Sequence, residues 1–280
     1  MKTRIAINGF GRIGRVTARI LLGRTDLELV AVNDLTDNKT LAHLFKYDSV
    51  HGVYKGEVSF GDDHLNLGGT KVKAFAEKDP SKLPWKELGI DVVIECTGFF
   101  LTRDSAGGHL KAGAKKVVLS APAKDPSIKT VVLGVNDHIM DGKEDIISNA
   151  SCTTNCAAPM IQALHEFCVI EDGFITTVHS YTGDQRLHDA PHKDLRRARA
   201  AAISMVPTTT GAAKAITRIF PELDGKLGGC GIRVPVPDGS ITDITCKVKT
   251  LHTADQINAR FKELANGKLK GILRYTEDPI

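Results

Sequence analysis

No Cys-x-x-Cys pair occurs in this chain, and no histidine stands at zinc-finger spacing from its six cysteines at 96, 152, 156, 168, 230 and 246. That spacing argues against a disulfide framework and a structural zinc site, so the thiols are expected reduced and no metal site is expected. Long apolar runs are also missing: none approaches a membrane span, and Met1-Lys2-Thr3-Arg4 leads into too short an apolar stretch for a secretory signal. A cytoplasmic protein without a membrane partner is the expectation. Charge of one sign is scarce, the net value being +4, which by itself implies neither a nucleic-acid nor a membrane partner. Aromatics make up 5% and do not interleave with the basic residues, so no nucleic acid is required. Neither an internal repeat nor a low-complexity linker interrupts the chain.

What is present is ordinary globular material. The 280 residues are 42% hydrophobic and 25% charged, with 26 Gly and 11 Pro, which excludes disorder and collagen and fits one large or two ordinary domains. In the first third, β-rich runs at residues 4–8, 27–33, 91–96 and 116–120 alternate with helical stretches such as 13–22. That alternation is the pattern of a parallel α/β sheet. After about residue 150 the texture changes. Residues 151–167 read as a helix and 174–180 and 241–250 as strands, with Ile244, Cys246 and Val248 alternating with Thr245, Lys247 and Lys249. Such alternation predicts a sheet with one wet face. Thr253 caps an amphipathic helix carrying Ile257, Phe261 and Leu264, which stops near Gly267. The expected division is residues 1–150 and 151–280, with a tight junction near Ala150 and Ser151, where ligand sites often lie.

The stretch Gly9-Phe10-Gly11-Arg12-Ile13-Gly14 satisfies the Gly-x-Gly-x-x-Gly pattern between a strand and a helix. Context gives the motif its meaning: Gly9, Gly11 and Gly14 permit a tight turn and close approach of a pyrophosphate to free N–H groups at the helix start. Asp34 ends the second strand 20 residues beyond the last glycine, where a carboxylate receives hydrogen bonds from a ribose diol. Leu35 follows with no adjacent Arg, and the carboxylate would repel a 2′-phosphate, so NAD is favoured over NADP, although Lys39 is nearby. The architecture expected is α/β: a Rossmann-type doubly wound parallel sheet plus a second α+β catalytic domain with a mixed or antiparallel sheet.

Cys152, within Ser151-Cys152-Thr153-Thr154-Asn155-Cys156, opens the next helix, where partial positive charge favours a thiolate and hence a nucleophile. Cys156 lies one turn later, where a second reactive thiol is one reading and a packing role at an interior helical position the favoured one; Cys96, Cys168, Cys230 and Cys246 read as core residues. Among ten histidines, His179 is the best placed as a base, near a strand end before a polar turn, but spacing alone leaves His165 and His192 in contention. Arg186, Lys193, Arg196, Arg197 and Arg199, with the later Pro207-Thr208-Thr209-Thr210-Gly211 and Arg233, suit phosphate recognition; a solvated basic loop or a subunit interface explains most of the basic loop equally well.

Five motifs in order carry a resemblance: residues 8–15, Tyr47-Asp48-Ser49-Val50-His51-Gly52, and the stretches 150–156, 179–185 and 207–214. The chain resembles the phosphorylating, NAD-dependent glyceraldehyde-3-phosphate dehydrogenases along its whole length. The resemblance implies Cys152 as the acylated nucleophile and His179 as its activating base. It implies Thr182 and Arg233 at the substrate phosphate, and Ser151, Thr153, Arg197, Thr210 and Gly211 at the attacking phosphate. Cofactor contacts would come from Arg12, Ile13, Asp34, Thr97 and Ser120, and from Lys78 where many relatives have Arg. Gly183 stands where many members carry Asn. The resemblance further implies glyceraldehyde 3-phosphate and inorganic phosphate as reactants, a place in glycolysis, and a homotetramer whose basic loop, residues 181–201, crosses to a neighbouring subunit.

Members of that family continue past a sequence like Thr276-Glu277-Asp278-Pro279-Ile280 and include a Tyr-Asp-Asn-Glu-Trp-Gly motif whose Asn bonds the nicotinamide amide. That motif is not in residues 1–280, so the chain is read as C-terminally incomplete. The competing readings are an erythrose-4-phosphate dehydrogenase and a catalytically impaired fragment acting as a cofactor- or RNA-binding module.

Overall fold

The computed structural model describes residues 1–280, apart from the side chain of Ala212. The chain divides into two compact units: Met1–Thr130 with Met140–Ala150, and Val131–Ile139 with Ser151–Ile280. The segment Val131–Ile139, assigned by sequence to the first domain, packs with the second unit.

The first unit runs β1 (Thr3–Asn8), α1 (Arg12–Leu22), β2 (Leu27–Asn33), α2 (Asn38–Lys46), β3 (Tyr47–Asp48) and β4 (Gly52–Val53). Then come β5 (Val58–Phe60), β6 (His64–Leu67), β7 (Thr70–Phe75), β8 (Val92–Glu95), α3 (Arg103–Lys111), β9 (Lys116–Leu119), β10 (Lys129–Thr130) and β11 (Ile146–Ser148). All of these strands except the small β3–β4 hairpin join one nine-stranded sheet, in the order β10-β11-β9-β8-β1-β2-β7-β6-β5. Pairing is parallel from β10 through β7, while β6 and β5 add an antiparallel edge that the sequence reading did not anticipate.

Burial explains why these strands are continuously apolar. In β1, Ile5 and Ile7 join a core with Phe10, Leu29, Val32 and Phe45, while Ala6 between them joins another with Val30, Trp85 and Val93. A strand buried on both faces keeps no polar alternation. Helix α1 lies on one face through Gly14, Ala18 and Leu21, a stripe at helical spacing. The chain moves from β1 to β2 on one side, and β8 pairs with β1 on the other. The strand order therefore reverses between β1 and β8, and ligands of such sheets bind beyond the carboxyl ends at that point.

The second unit contains α4 (Cys152–Cys168), β12 (Ile170–Ser180), β13 (Val206–Thr208), α5 (Ala212–Thr217), β14 (Leu227–Val234), β15 (Ser240–Val248) and α6 (Ala254–Asn266). Its sheet has the order β13-β14-β12-β15 and is mixed: β12 pairs parallel with β14 and antiparallel with β15. In β15, Ile244, Cys246 and Val248 are half-buried and Thr245 and Lys247 exposed, which is the alternation expected of one wet face. Helix α6 begins at a capping box between Thr253 and Gln256 and ends at Gly267.

Candidate active site

Two clusters of functional side chains occur, one in each unit. In the first unit, Gly9 turns the chain out of β1 at φ +91, and a Cβ there would meet the Thr97 backbone nitrogen at 2.7 Å. Only glycine fits. Gly14 lets α1 approach the same turn, because a Cβ there would meet the Gly9 carbonyl oxygen at 2.1 Å. Gly11 precedes the first turn of α1 and makes no side-chain cap, and a Cβ built on it would meet nothing within 4 Å. The helix start thus offers backbone N–H groups next to open space, which suits an anion. Asp34 accepts from the Phe10 N–H at 2.7 Å and the Thr36 N–H at 3.0 Å, so its carboxylate is held firmly while lone pairs remain for a diol.

A cavity of about 350 Å³ at the carboxyl ends of β1, β2 and β8 collects Gly9, Gly11, Asp34, Lys78 and Thr97 from the sequence-derived cofactor set. Arg12, Ile13, Gly14 and Ser120 do not line it. Arg12 is instead paired with Asp48 at 3.2 Å, Ile13 is exposed, and Gly14 acts through packing. Burial alone would raise the Asp48 carboxyl, but N–H bonds from His51 and Val50 and the Arg12 cation hold it down at about 2. Among the lining residues, sequence reasoning missed Asn8, Asn33, Glu77, Cys96, Phe99 and Phe100. Position was the available signal, since Asn8, Asn33 and Cys96 sit at or just past strand ends. Cys96 is half-buried and packs against the core around Ile7 and Phe10, as expected of a core thiol, and burial pushes it up to about 11, which makes it a poor nucleophile.

The second unit brings a thiol and an imidazole together. Ser151 caps α4 by accepting from the Thr154 N–H at 3.1 Å, which makes exposed Cys152 the first helical residue. The preceding Ala150 has φ 57, a left-handed conformation uncommon for a residue with a side chain. His179 lies near the end of β12, with Nε2 at 3.2 Å from Cys152 Sγ. His165, by contrast, is directed at Glu222 and the Ile170 N–H, and His192 at Asp184 and Asp194.

The other ring nitrogen of His179 meets two partners: the Ser180 carbonyl at 2.8 Å, and Nη1 of Arg233 at 2.8 Å. Arg233 also donates to the Ser180 carbonyl at 3.0 Å. With Nδ1–H donating to Ser180, Nε2 carries the lone pair that takes the thiol proton; with Arg233 donating to Nδ1, Nε2 carries a hydrogen towards sulfur. The two arrangements are the two tautomers of the neutral ring, and the first leaves Nε2 free to accept a proton from sulfur. Arg233 faces His179 across the β12–β14 register, and its guanidinium is lowered by burial first and by the Arg197 cation second, against the pull of Cys152 and Asp184.

Arg197 forms a second anion-facing group. It donates to Asp184 and, through Nε at 3.0 Å, to Thr208 Oγ1. Burial alone would raise the Asp184 carboxyl, but the Arg197 hydrogen bond and charge bring it below the usual range. Thr153 is buried in the first turn of α4, Thr182 is exposed and directs its N–H towards Gln185 at 3.4 Å, and Gly211 precedes α5. Thr210 Cγ2 lies 3.6 Å from where a Cβ on Gly229 would stand. One sequence expectation fails here: Cys156 is exposed, not packed, because its side of α4 faces away from the core formed by Ala157, Ala158 and Ile161.

A parallel sheet with a glycine turn and a terminal carboxylate, followed by a domain bearing a cysteine–histidine pair, defines an NAD-dependent dehydrogenase of the thiol-bearing kind. Residues 3–103 match the family model described as the NAD binding domain of glyceraldehyde 3-phosphate dehydrogenase, and residues 151–280 match that of its C-terminal domain. The chain is 55% identical over 287 residues to the glyceraldehyde-3-phosphate dehydrogenase of Mycobacterium tuberculosis (strain ATCC 25618 / H37Rv), an alignment that covers all of this chain and 84% of that protein. It is 54% identical over 281 residues to the Geobacillus stearothermophilus enzyme of the same name, with the same coverage. The Clostridium pasteurianum enzyme is 55% identical over 280 residues, covering 99% of this chain and 82% of that one. The chain belongs to the glyceraldehyde-3-phosphate dehydrogenase family, and its cofactor is NAD.

Proposed function

We propose that this protein oxidises glyceraldehyde 3-phosphate in the presence of inorganic phosphate, giving 1,3-bisphosphoglycerate in glycolysis, through a thioester on Cys152. The observation that carries the reading is the 3.2 Å contact between Cys152 Sγ and His179 Nε2. His179 takes the thiol proton as the sulfur forms a bond to the aldehyde carbon, and the resulting hemithioacetal is held on Cys152. NAD supplies the acceptor for the hydride that leaves that carbon, and the proton that His179 first passed to the carbonyl oxygen returns to His179, so a thioester remains. A phosphate oxygen then attacks the thioester carbon, the C–S bond breaks, and the Cys152 thiolate leaves with the acyl phosphate formed. His179, now able to donate, stabilises the oxyanion in both additions.

Thr182 and Arg233 hold the sugar phosphate, and Ser151, Thr153, Arg197, Thr210 and Gly211 hold the attacking phosphate. Supporting this, the Arg197 cation pushes the Arg233 guanidinium down while Asp184, bonded to Arg197, pulls it up, which puts the two guanidiniums near one another as two neighbouring anion sites would have them. Asp184 occupies the Arg197 guanidinium here and would give way to phosphate. Gly9, Gly11, Gly14, Asp34, Lys78 and Thr97 hold the dinucleotide, with Arg12, Ile13 and Ser120 at its margins. Its setting is the cytoplasm.

A homotetramer is part of the same reading. Leu187 and Leu195 in the basic segment and Ile203 and Met205 just beyond it are 77%, 80%, 79% and 68% exposed, apolar surface of the kind a subunit interface covers. The decisive experiment follows NADH absorbance with glyceraldehyde 3-phosphate, with and without inorganic phosphate, and repeats it with erythrose 4-phosphate. Phosphate-dependent turnover with the higher kcat/KM for the triose supports the assignment; phosphate-independent turnover, or preference for erythrose 4-phosphate, overturns it.

A further inference from the structure

Beneath the dinucleotide cleft lies a chain of buried polar groups that the mechanism above does not use. Glu95, at the end of β8, is 1% exposed, and His109 on α3 and Trp85 are fully buried. The Trp85 indole N–H donates to His109 Nδ1 at 3.0 Å. An indole nitrogen only donates, so Nδ1 accepts and the imidazole hydrogen is on Nε2, which donates to Glu95 Oε2 at 3.1 Å. The same oxygen accepts from Asn8 Nδ2 at 2.6 Å. Oε1 accepts from the Thr97 N–H at 2.7 Å and from the Thr97 hydroxyl. All four neighbours are donors, so the group that matches them is a carboxylate, an acceptor at both oxygens.

The chain continues into the cleft wall. Asn8 Oδ1 accepts from Asn33 Nδ2 at 2.7 Å, and Asn33 exchanges two bonds of 2.8 Å with the Glu77 backbone. Asn8, Asn33, Glu77 and Thr97 all line the cavity. One carboxylate therefore ties the ends of β1 and β8 on either side of the reversal in strand order, and reaches β2 through Asn8. It also leaves one negative charge under the cleft, with neutral groups at all four of its hydrogen bonds.

We propose that Glu95 is a positioning residue of the dinucleotide cleft, fixing Asn8 and Thr97, and that its charge biases the cleft towards the oxidised cofactor. The bias follows from charge alone: NADH carries one more unit of negative charge than NAD⁺, so a buried anion disfavours it more wherever in the cleft it binds. The inference rests on the dinucleotide reading of this cavity.

The test is calorimetric titration of the whole protein with NAD⁺ and with NADH. Absence of NAD⁺ binding by the unaltered protein would defeat the dinucleotide reading itself. Glu95→Gln puts a donor where every neighbour is a donor, and NAD⁺ affinity is expected to fall about tenfold. The preference for NAD⁺ over NADH is expected to shrink about threefold or more, because the anion is gone. Equal losses for both cofactors would reduce Glu95 to a structural residue, and unchanged affinities would reject the proposal outright. Emission from Trp85, the single tryptophan of the chain, reports whether the folded network has altered at its far end. Should Glu95→Gln fail to fold, Glu95→Asp keeps the charge but withdraws it by one methylene: weakened NAD⁺ binding supports the proposal, and unaltered binding overturns it.

Discussion

The two sheets of this protein carry function in opposite ways. In the nine-stranded sheet, binding is built from backbone and from side chains sealed away from water, such as Asn8 at 2% and Asn33 at 5% exposure. In the second unit, the side chains proposed for the reaction are left open, with Cys152 exposed at the start of α4 and Arg197 and Arg233 half-buried. Different tasks explain the difference. Dinucleotide recognition needs fixed dipoles and a turn that no Cβ can enter, so rigidity and burial serve it. On the proposed reading a nucleophile is reached by an aldehyde and then by phosphate, which suits a thiol at a helix start with an imidazole on a separate strand.

The contrast predicts graded effects. Replacing Cys152 with Ser removes the thiol proposed to form the thioester and is expected to lower kcat about 10⁴-fold or more while NAD affinity stays within a factor of two. Single-turnover kinetics beside calorimetry would check this, and a matching loss of NAD binding would blur the separation of tasks. His179→Asn keeps the strand but loses the proposed base, with an expected kcat loss of about 10²–10⁴-fold. In the other unit the order is reversed. Gly14→Ala, whose new Cβ would meet the Gly9 oxygen at 2.1 Å, should weaken NAD binding more than tenfold and cost about 1–3 kcal/mol of stability, read by denaturant titration.

The smallest effect expected is at Asp48. Its folded carboxyl lies at about 2, below the ordinary 3.8, so the stability it lends is complete above about pH 4 and is lost as pH falls through about 2. Asp48→Asn should therefore lower the melting temperature at pH 7 by about 2–4 °C for each kcal/mol lost, and the gap should close between pH 4 and pH 2. A gap that persists at pH 2 would mean that shape, not charge, matters there.

Local patterns were the readable part. The glycine turn announced itself because each glycine answers a constraint within a few residues, and Asp34 because β2 is a short unbroken apolar run whose end is visible. Helix α4 could be read from Ser151 onwards for the same reason, capping being a local contact. Cys156 was misread because helical spacing says which residues share a face but not which face meets the core. His179 was separable from His165 and His192 only through the family resemblance, since nothing within a turn of it reveals Cys152, 27 residues away.

By itself, the sequence determined β1, β2, β8, β9, β12 and β15 and helices α1, α4 and α6, where the glycine turn and the start of α4 at Cys152 fall, and which family the chain resembles; these depend on neighbours a few residues apart. Tertiary structure alone decided that Arg233 meets His179, that Arg197 meets Asp184, and that Trp85, His109, Glu95, Asn8 and Asn33 form one line of hydrogen bonds. Those partners come from separate strands and helices, and the pairing of a donor with an acceptor depends on where the packed sheet brings them, which no local pattern encodes.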